Sequence, residues 1–209
     1  MMTASPVVFV VDDDVSIRDS LELLIEAAGW RPELCASAQE FLARPRPQAP
    51  SCLLLDMSLP DLNGLELQKR IGSDRTEMPI IFMTGYGDVP MTVQAMKAGA
   101  VEFLTKPADP EVLLNAIADA LTRSRGSLDQ QADLQSLRDR YHSLSRRERE
   151  VMALVVCGQL NKQVGGELGI EEITVKAHRG RVMRKMHARS LPELVTMASR
   201  LGLQTAGRG

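Results

Sequence analysis

The sequence predicts a doubly wound α/β domain built on a five-stranded parallel sheet, a helical linker, and a C-terminal all-α domain with a helix-turn-helix. Three observations carry this. Short apolar runs alternate with amphipathic helical stretches through about residue 122. Two of the runs end on acids: Val7–Val11 leads into Asp12, Asp13 and Asp14, and Leu53–Leu55 leads into Asp56. From Ser143 the periodicity is helical throughout, broken only by short turns.

The predicted strands are Val7–Val11, Glu33–Cys35, Cys52–Leu55, Ile80–Met83 and Val101–Leu104. The first helix carries Ile17, Leu21, Leu24, Ile25 and Ala28 on one stripe, with Asp14 suited to cap it. The second opens at Ser37 with Glu40 three residues on, a capping box. The third covers Leu65–Ile71. The fourth begins near Val89-Pro90, where proline suits a first helical turn. The fifth opens at Asp109-Pro110-Glu111. Strands alternating with helices imply a parallel sheet covered on both faces. Ligands of such sheets sit at the carboxyl ends of the strands, where Asp12, Asp13 and Asp56 fall.

Residues 124–142 form a polar linker with Leu128, Leu134, Leu137 and Tyr141 at helical spacing. It is predicted to extend the fifth helix, with Gly126-Ser127 a soft break. Its leucines are too irregular to favour a coiled coil. In the last domain, residues 143–209, Ser145 and Glu148 form a capping box for a helix ending at Cys157-Gly158. Asn161 can cap a short helix through Leu168, and Gly169 ends it. A further helix runs from about Glu172 to His187. Ser190 and Glu193 form another capping box for a last helix through Leu201.

A chain of 209 residues suits two small domains. Aromatic residues make up only 3%, so the cores must be aliphatic and Met-rich. Cys35, Cys52 and Cys157 show no metal-ligand spacing and read as reduced thiols. No apolar run approaches the length of a membrane span and no signal pattern opens the chain, so a cytoplasmic protein without membrane contact is expected. The net charge of −2 divides into −7 over residues 1–125 and +5 over residues 126–209. A metal or protein partner suits the acidic part and a polyanion suits the basic part.

Carboxylates converging at a sheet edge suit a hard cation such as Mg²⁺ or Mn²⁺, and a carboxylate beside it can accept a phosphoryl group. Asp13 and Asp56 are placed to bind the ion directly and Asp12 through a water. Lys106, after the fifth strand, can supply positive charge to the phosphoryl oxygens. Thr84, after the fourth, can donate a hydroxyl hydrogen bond. A cis bond at Pro107 would aim the lysine inward.

The segments VVDDD, LLLDMSLPDLNG, IIFMTGYGD and MKAGAVEFLTKP resemble the receiver domain of bacterial two-component response regulators over about residues 5–123. The resemblance implies a flavodoxin-like receiver phosphorylated on Asp56 by a sensor histidine kinase. It further implies a metal site of Asp12, Asp13, Asp56 and the Ser58 carbonyl, with Thr84 and Phe103 as switch residues. Ala108 departs from it, since many relatives carry an aromatic residue there. A haloacid-dehalogenase-like phosphatase would need a carboxylate at position 58, where Ser58 stands. Self-phosphorylation and slow hydrolysis are therefore expected, not metabolic turnover.

The stretch Thr174–Arg189 carries six Lys or Arg residues and no acid. On the second helix of a helix-turn-helix, such a run suits the DNA major groove. The segment LSRREREVMALVVCGQLNKQVGGELGIEEITVKAHRGRVMRKM resembles the LuxR-type helix-turn-helix of FixJ/NarL-type regulators. That implies sequence-specific binding to promoter DNA, a homodimer when phosphorylated, and RNA polymerase as a further partner. By position, Lys176, Ala177 and Gly180 would approach bases. Asn161, Lys162, Thr174, His178, Arg179 and Lys185 would contact phosphates. Gly180 replaces a side chain that often reads a base, which shifts specificity toward Lys176, Arg181 and DNA shape. Gly165-Gly166 and Glu171 are further departures, the glycines each costing up to ~1 kcal/mol of helix propensity relative to Ala. RNA or protein as the partner of the basic part stays open as the alternative.

Overall fold

The computed structural model describes residues 5–45, 47–72, 77–85 and 89–203. Residues 86–88 of the GYGD motif and the C-terminal residues beyond Leu203 lie outside them. The chain divides into two compact units, residues 1–129 and 130–209.

The first unit holds strands β1 (Val7–Val11), β2 (Arg31–Cys35), β3 (Ser51–Asp56), β4 (Ile80–Thr84) and β5 (Glu102–Thr105). All pair in parallel, in the order β2-β1-β3-β4-β5. β2 begins two residues earlier than its apolar pattern predicts and admits Pro32, which an edge strand tolerates. β5 lies one residue later than predicted. Lys106 is therefore the first residue past the strand, its N–H donating to the Thr84 carbonyl at 2.7 Å.

Strand alternation splits the core in two. Val8, Val10, Leu54 and Ile81 face helices α1 (Val15–Ala27) and α5 (Pro110–His142), meeting Leu21, Ile25, Leu113 and Ile117. Phe9, Val11, Leu53, Leu55 and Phe82 face α2 (Ala38–Ala43), α3 (Gly64–Ile71) and α4 (Val89–Lys97), meeting Phe41, Leu67, Ile71 and Ala95. Ala28 does not continue the α1 stripe: it is exposed and forms the C-cap before Gly29, whose φ of 82° turns the chain. Ser37 caps α2, but Glu40 reaches back to the Ala36 N–H, one residue earlier than a capping box requires.

α5 is one continuous helix through Gly126 and Ser127, so the expected soft break is absent. Helix needs no side chain at an exposed position, and nothing lies within contact of a Cβ placed at Gly126. The helix serves both cores in turn. Leu113, Ile117 and Leu121 belong to the first, and Leu137 and Tyr141 to the second.

The second unit comprises that last part of α5 with α6 (Arg146–Val156), α7 (Asn161–Leu168), α8 (Glu172–Met186) and α9 (Leu191–Arg200). Its core joins Leu137, Leu144, Val151, Met152, Val155, Val164, Val175, Val182, Met186 and Leu194. Ser145 and Glu148 form the full capping box of α6. At α9, Ser190 caps but Glu193 reaches back to the Arg189 N–H instead. Asn161 is the first residue of α7, not its cap. The cap position is Leu160, whose N–H is satisfied by the Gln163 side chain.

Gly165 and Gly166 prove unlike. A Cβ at Gly165 would lie 2.7 Å from the Ile170 carbonyl oxygen, so its bareness lets the α7–α8 turn close over the helix. Gly166 is exposed with open space around it.

Lys185, expected from the sequence to contact phosphates, is half-buried, and its ammonium lies 2.7 Å from Glu148 Oε2 and 3.1 Å from the Ser143 carbonyl. Lys185 therefore clamps the C-terminal end of α8 to the start of α6 and is not a freely available surface cation. Its hydrogen bond, and then that of the Ser145 N–H, hold the buried Glu148 carboxyl below the usual glutamate range. Arg140 reinforces the same end of α8 by donating to the Met186 carbonyl at 3.1 Å.

Gly166→Ala should stabilise α7 by up to about 1 kcal/mol, seen as slowed amide exchange in that helix. Gly165→Ala should instead destabilise the second unit, because its Cβ would meet the Ile170 backbone carbonyl oxygen at 2.7 Å. Glu148 has a depressed folded pKa, so its contribution is complete above the ordinary value of 4.5 and is lost as pH falls through the folded value. Glu148→Gln should destabilise the second unit by roughly 1–3 kcal/mol at neutral pH. The variant should lose less further stability than the wild type as pH falls below about 4.5 in acid titrations of unfolding.

Candidate functional site

The first site forms where β1, β3, β4 and β5 end. Asp12 and Asp56 are 2% and 8% exposed, whereas Asp13 is open to solvent. Carboxylate oxygens of all three lie within 4.8 Å of one another. At that spacing the buried pair Asp12 and Asp56 repel by on the order of 3–4 kcal/mol, and solvent screens the pairs that involve Asp13. Lys106 offsets part of it. Its ammonium lies 2.5 Å from Asp12 Oδ2 and 3.2 Å from Asp56 Oδ1. Burial alone would pull the Lys106 pKa down. The hydrogen bond to Asp12, with the charges of Asp56 and Asp12, outweighs it and holds the pKa above the ordinary lysine range. Three carboxylates against one ammonium leave a net charge of −2. Hard oxygen donors at this spacing fit a Mg²⁺-sized divalent cation.

Local structure fixes each group. The second oxygen of Asp12 accepts from the Asp14 N–H at 3.0 Å, and the Asp12 carbonyl accepts from Arg18 Nη1 at 2.7 Å. Asp14 turns away and caps α1 through the Ser16 N–H. Asp56 is the last residue of β3, paired in register with Met83. Behind it Gly64 starts α3 so closely that a Cβ would meet the Asp56 carbonyl oxygen at 2.9 Å. Ser58 stands two residues beyond Asp56 on the exposed β3–α3 loop. Thr84 is the buried last residue of β4, beside Thr105 in register. Phe103 is half-buried in β5, its ring centroid 6.4 Å from that of Phe82. The Lys106–Pro107 peptide bond is cis.

Arg18 and Gly64 escaped the sequence reading. An arginine among the polar positions of a helix carries no signal that it faces an upstream carbonyl. Gly64 was detectable in principle, since Asn-Gly before a helical pattern marks a tight entry.

The second site is α8. Val175, Val182 and Met186 are buried, so its outer surface carries the basic residues. Lys176, Ala177, Gly180 and Arg181 are exposed. Thr174, His178 and Arg179 are half-buried at its flanks. Arg179 Nη1 donates to Asn161 Oδ1 at 3.2 Å, linking α8 to the first residue of α7. Lys162 is exposed beside it. Lys185 is engaged in its pairing with Glu148. Gly169, with φ of 65°, makes the turn between α7 and α8. The geometry suits one helix presented to a groove and another set at its back.

No helix among the described residues is long and apolar enough to cross a membrane. All three cysteines are free, and burial pushes the Cys52 thiol up to about 12 and that of Cys35 up to about 11, the latter with help from Glu40.

Comparison with known proteins identifies both parts of the chain. Residues 8–118 match the response regulator receiver domain, and residues 142–198 match the bacterial regulatory proteins of the luxR family. Nodulation protein W of Bradyrhizobium diazoefficiens is 47% identical over 94% of this chain and 87% of its own length. The transcriptional regulatory protein FixJ of the same organism is 40% identical over 97% of this chain and 98% of its own. Among solved structures, the response regulator StyR is similar with a TM-score of 0.83 at 44% identity, over 94% of this chain and all of that one. The acidic pocket at the sheet edge and the basic outer helix are thus the two ends of one known architecture: the chain is a response regulator, with a receiver domain followed by a LuxR-type DNA-binding domain.

Proposed function

We propose that Asp56 is the phosphoacceptor and that its phosphorylation by a histidine kinase controls DNA binding and transcription. The supporting observation is the single ammonium of Lys106 bridging Asp12 and Asp56 across the ends of three strands. An oxygen of the Asp56 carboxylate attacks phosphorus, the bond from phosphorus to the donor breaks, and an acyl phosphate forms. Asp12, Asp13, Asp56 and the Ser58 carbonyl would hold Mg²⁺ or Mn²⁺. When bound, that ion neutralises charge on the phosphoryl oxygens. Lys106 is placed to move from Asp56 to the new phosphoryl oxygens, and the Thr84 hydroxyl to donate to another.

In this reading Phe103 follows Thr84, and the face of α4 and β5 changes. A local charge and packing change thereby biases a two-state surface. The phosphorylated chain forms a homodimer and reads two half-sites of promoter DNA. RNA polymerase is a further partner, and the protein acts in the cytoplasm. The functional division is a receiver at 1–123, a linker at 124–142 and a DNA-binding domain at 143–209. Its only catalysis is self-phosphorylation and slow autodephosphorylation.

On the DNA side, Lys176, Ala177, Gly180 and Arg181 face the bases. Asn161, Lys162, Thr174, His178 and Arg179 approach phosphates. Lys185 leaves that set, because its charge is already engaged by Glu148.

Asp56→Asn should abolish labelling by acetyl phosphate. Labelling of the variant at the wild-type rate would place the acceptor elsewhere. Lys176→Ala should lower affinity and flatten discrimination between DNA sequences in gel-shift titrations. Lys185→Ala should instead lower the melting temperature and leave discrimination intact; the reverse pattern would exchange their roles.

A further inference from the structure

Three buried residues define the inner line of α8: Val175, Val182 and Met186. At about 100° per residue, Ile173, Ala177, Gly180 and Arg184 fall on the diametrically opposite line. Lys176 and Arg181 flank it on either side. The outermost ridge of the helix, over its N-terminal half, thus offers no hydrogen-bonding side chain. It begins with Ile173, 68% exposed in the first turn. Ala177 is a single methyl, and Gly180 has no side chain and open space around it. Isolated apolar residues are ordinary on a surface. Ile173 differs in its place, since a groove-entering helix presents its N-terminal residues to base edges.

Resting on the reading that α8 enters the major groove, we propose that Ile173 is a specificity-determining residue that selects thymine through its C5-methyl group. That methyl is the apolar feature of the major-groove edge, all other groups there being donors or acceptors. Ala177 adds a shallow apolar surface one turn on. Gly180 leaves room for the helix backbone to approach, so the longer side chain of Ile173 reaches the bases. Lys176 and Arg181 read or clamp to either side of this ridge. Glu171 and Glu172, beside Ile173, disfavour phosphate there and keep the helix start directed at the groove floor.

The test uses the full-length protein, its phosphorylation by acetyl phosphate verified beforehand, and duplexes it selects from a random library. Each thymine of the selected site is replaced singly by deoxyuridine, which removes the methyl and leaves pairing intact. Affinity should fall about fourfold, the effect of one buried methyl-sized group, at one or two positions per half-site. Ile173→Ser should bind the thymine and deoxyuridine duplexes equally, while Ile173→Val keeps the preference. If selected duplexes bind and no deoxyuridine replacement weakens them, or if Ile173→Ser retains the full thymine preference, the role of Ile173 is overturned while groove entry stands. If no duplex is selected even at low salt, groove entry is overturned and this inference with it.

Discussion

Mutual repulsion of carboxylates at the carboxyl edge of the sheet is the constraint on which the receiver half is built. Asp12, Asp13 and Asp56 lie close enough to need compensating positive charge, and among the described residues Lys106 lies within reach of two of them. The lysine comes from 94 positions away in sequence. Its placement therefore requires the whole parallel sheet to close in register. The residual charge of −2 is what makes the site receptive to a divalent cation. The same imbalance holds the Lys106 pKa above the ordinary lysine range.

Backbone contacts around the acids serve this arrangement. Arg18 holds the Asp12 carbonyl, the Asp14 N–H holds its carboxylate, and Gly64 allows α3 to begin against the Asp56 carbonyl. Thr84 and Lys106 are tied by a backbone hydrogen bond between β4 and the residue after β5. Phe103 packs near Phe82 in the same pair of strands.

The C-terminal half is organised by a different division, between the two ends of α8. Its last turn is fastened by Lys185 to Glu148 and by the Met186 carbonyl to Arg140. Its first turns expose Glu172, Ile173, Lys176 and Ala177. A helix fixed at one end and bare at the other is rigid where it must be positioned and unobstructed where it must touch a partner. Basic composition alone does not separate these ends, since Lys185 and Lys176 contribute the same charge to the count.

The sequence by itself determined the alternation of strands and helices, the acids at the ends of β1 and β3, and the helix-turn-helix with its buried Val175, Val182 and Met186. These follow from local period and from residue type at element ends, and short-range physics suffices for both. Boundaries were less legible. β2 and β5 shifted by one or two residues, because edge strands need little apolar content. Gly126 did not interrupt α5, because its two ends are each held by a core. Only the tertiary structure decided which charges are free and which are engaged. Lys106, Lys185 and Arg18 are indistinguishable from surface cations in sequence, since their partners lie on other elements or behind a turn. It also separated Gly165 from Gly166, because a carbonyl five residues further on approaches one of them and not the other.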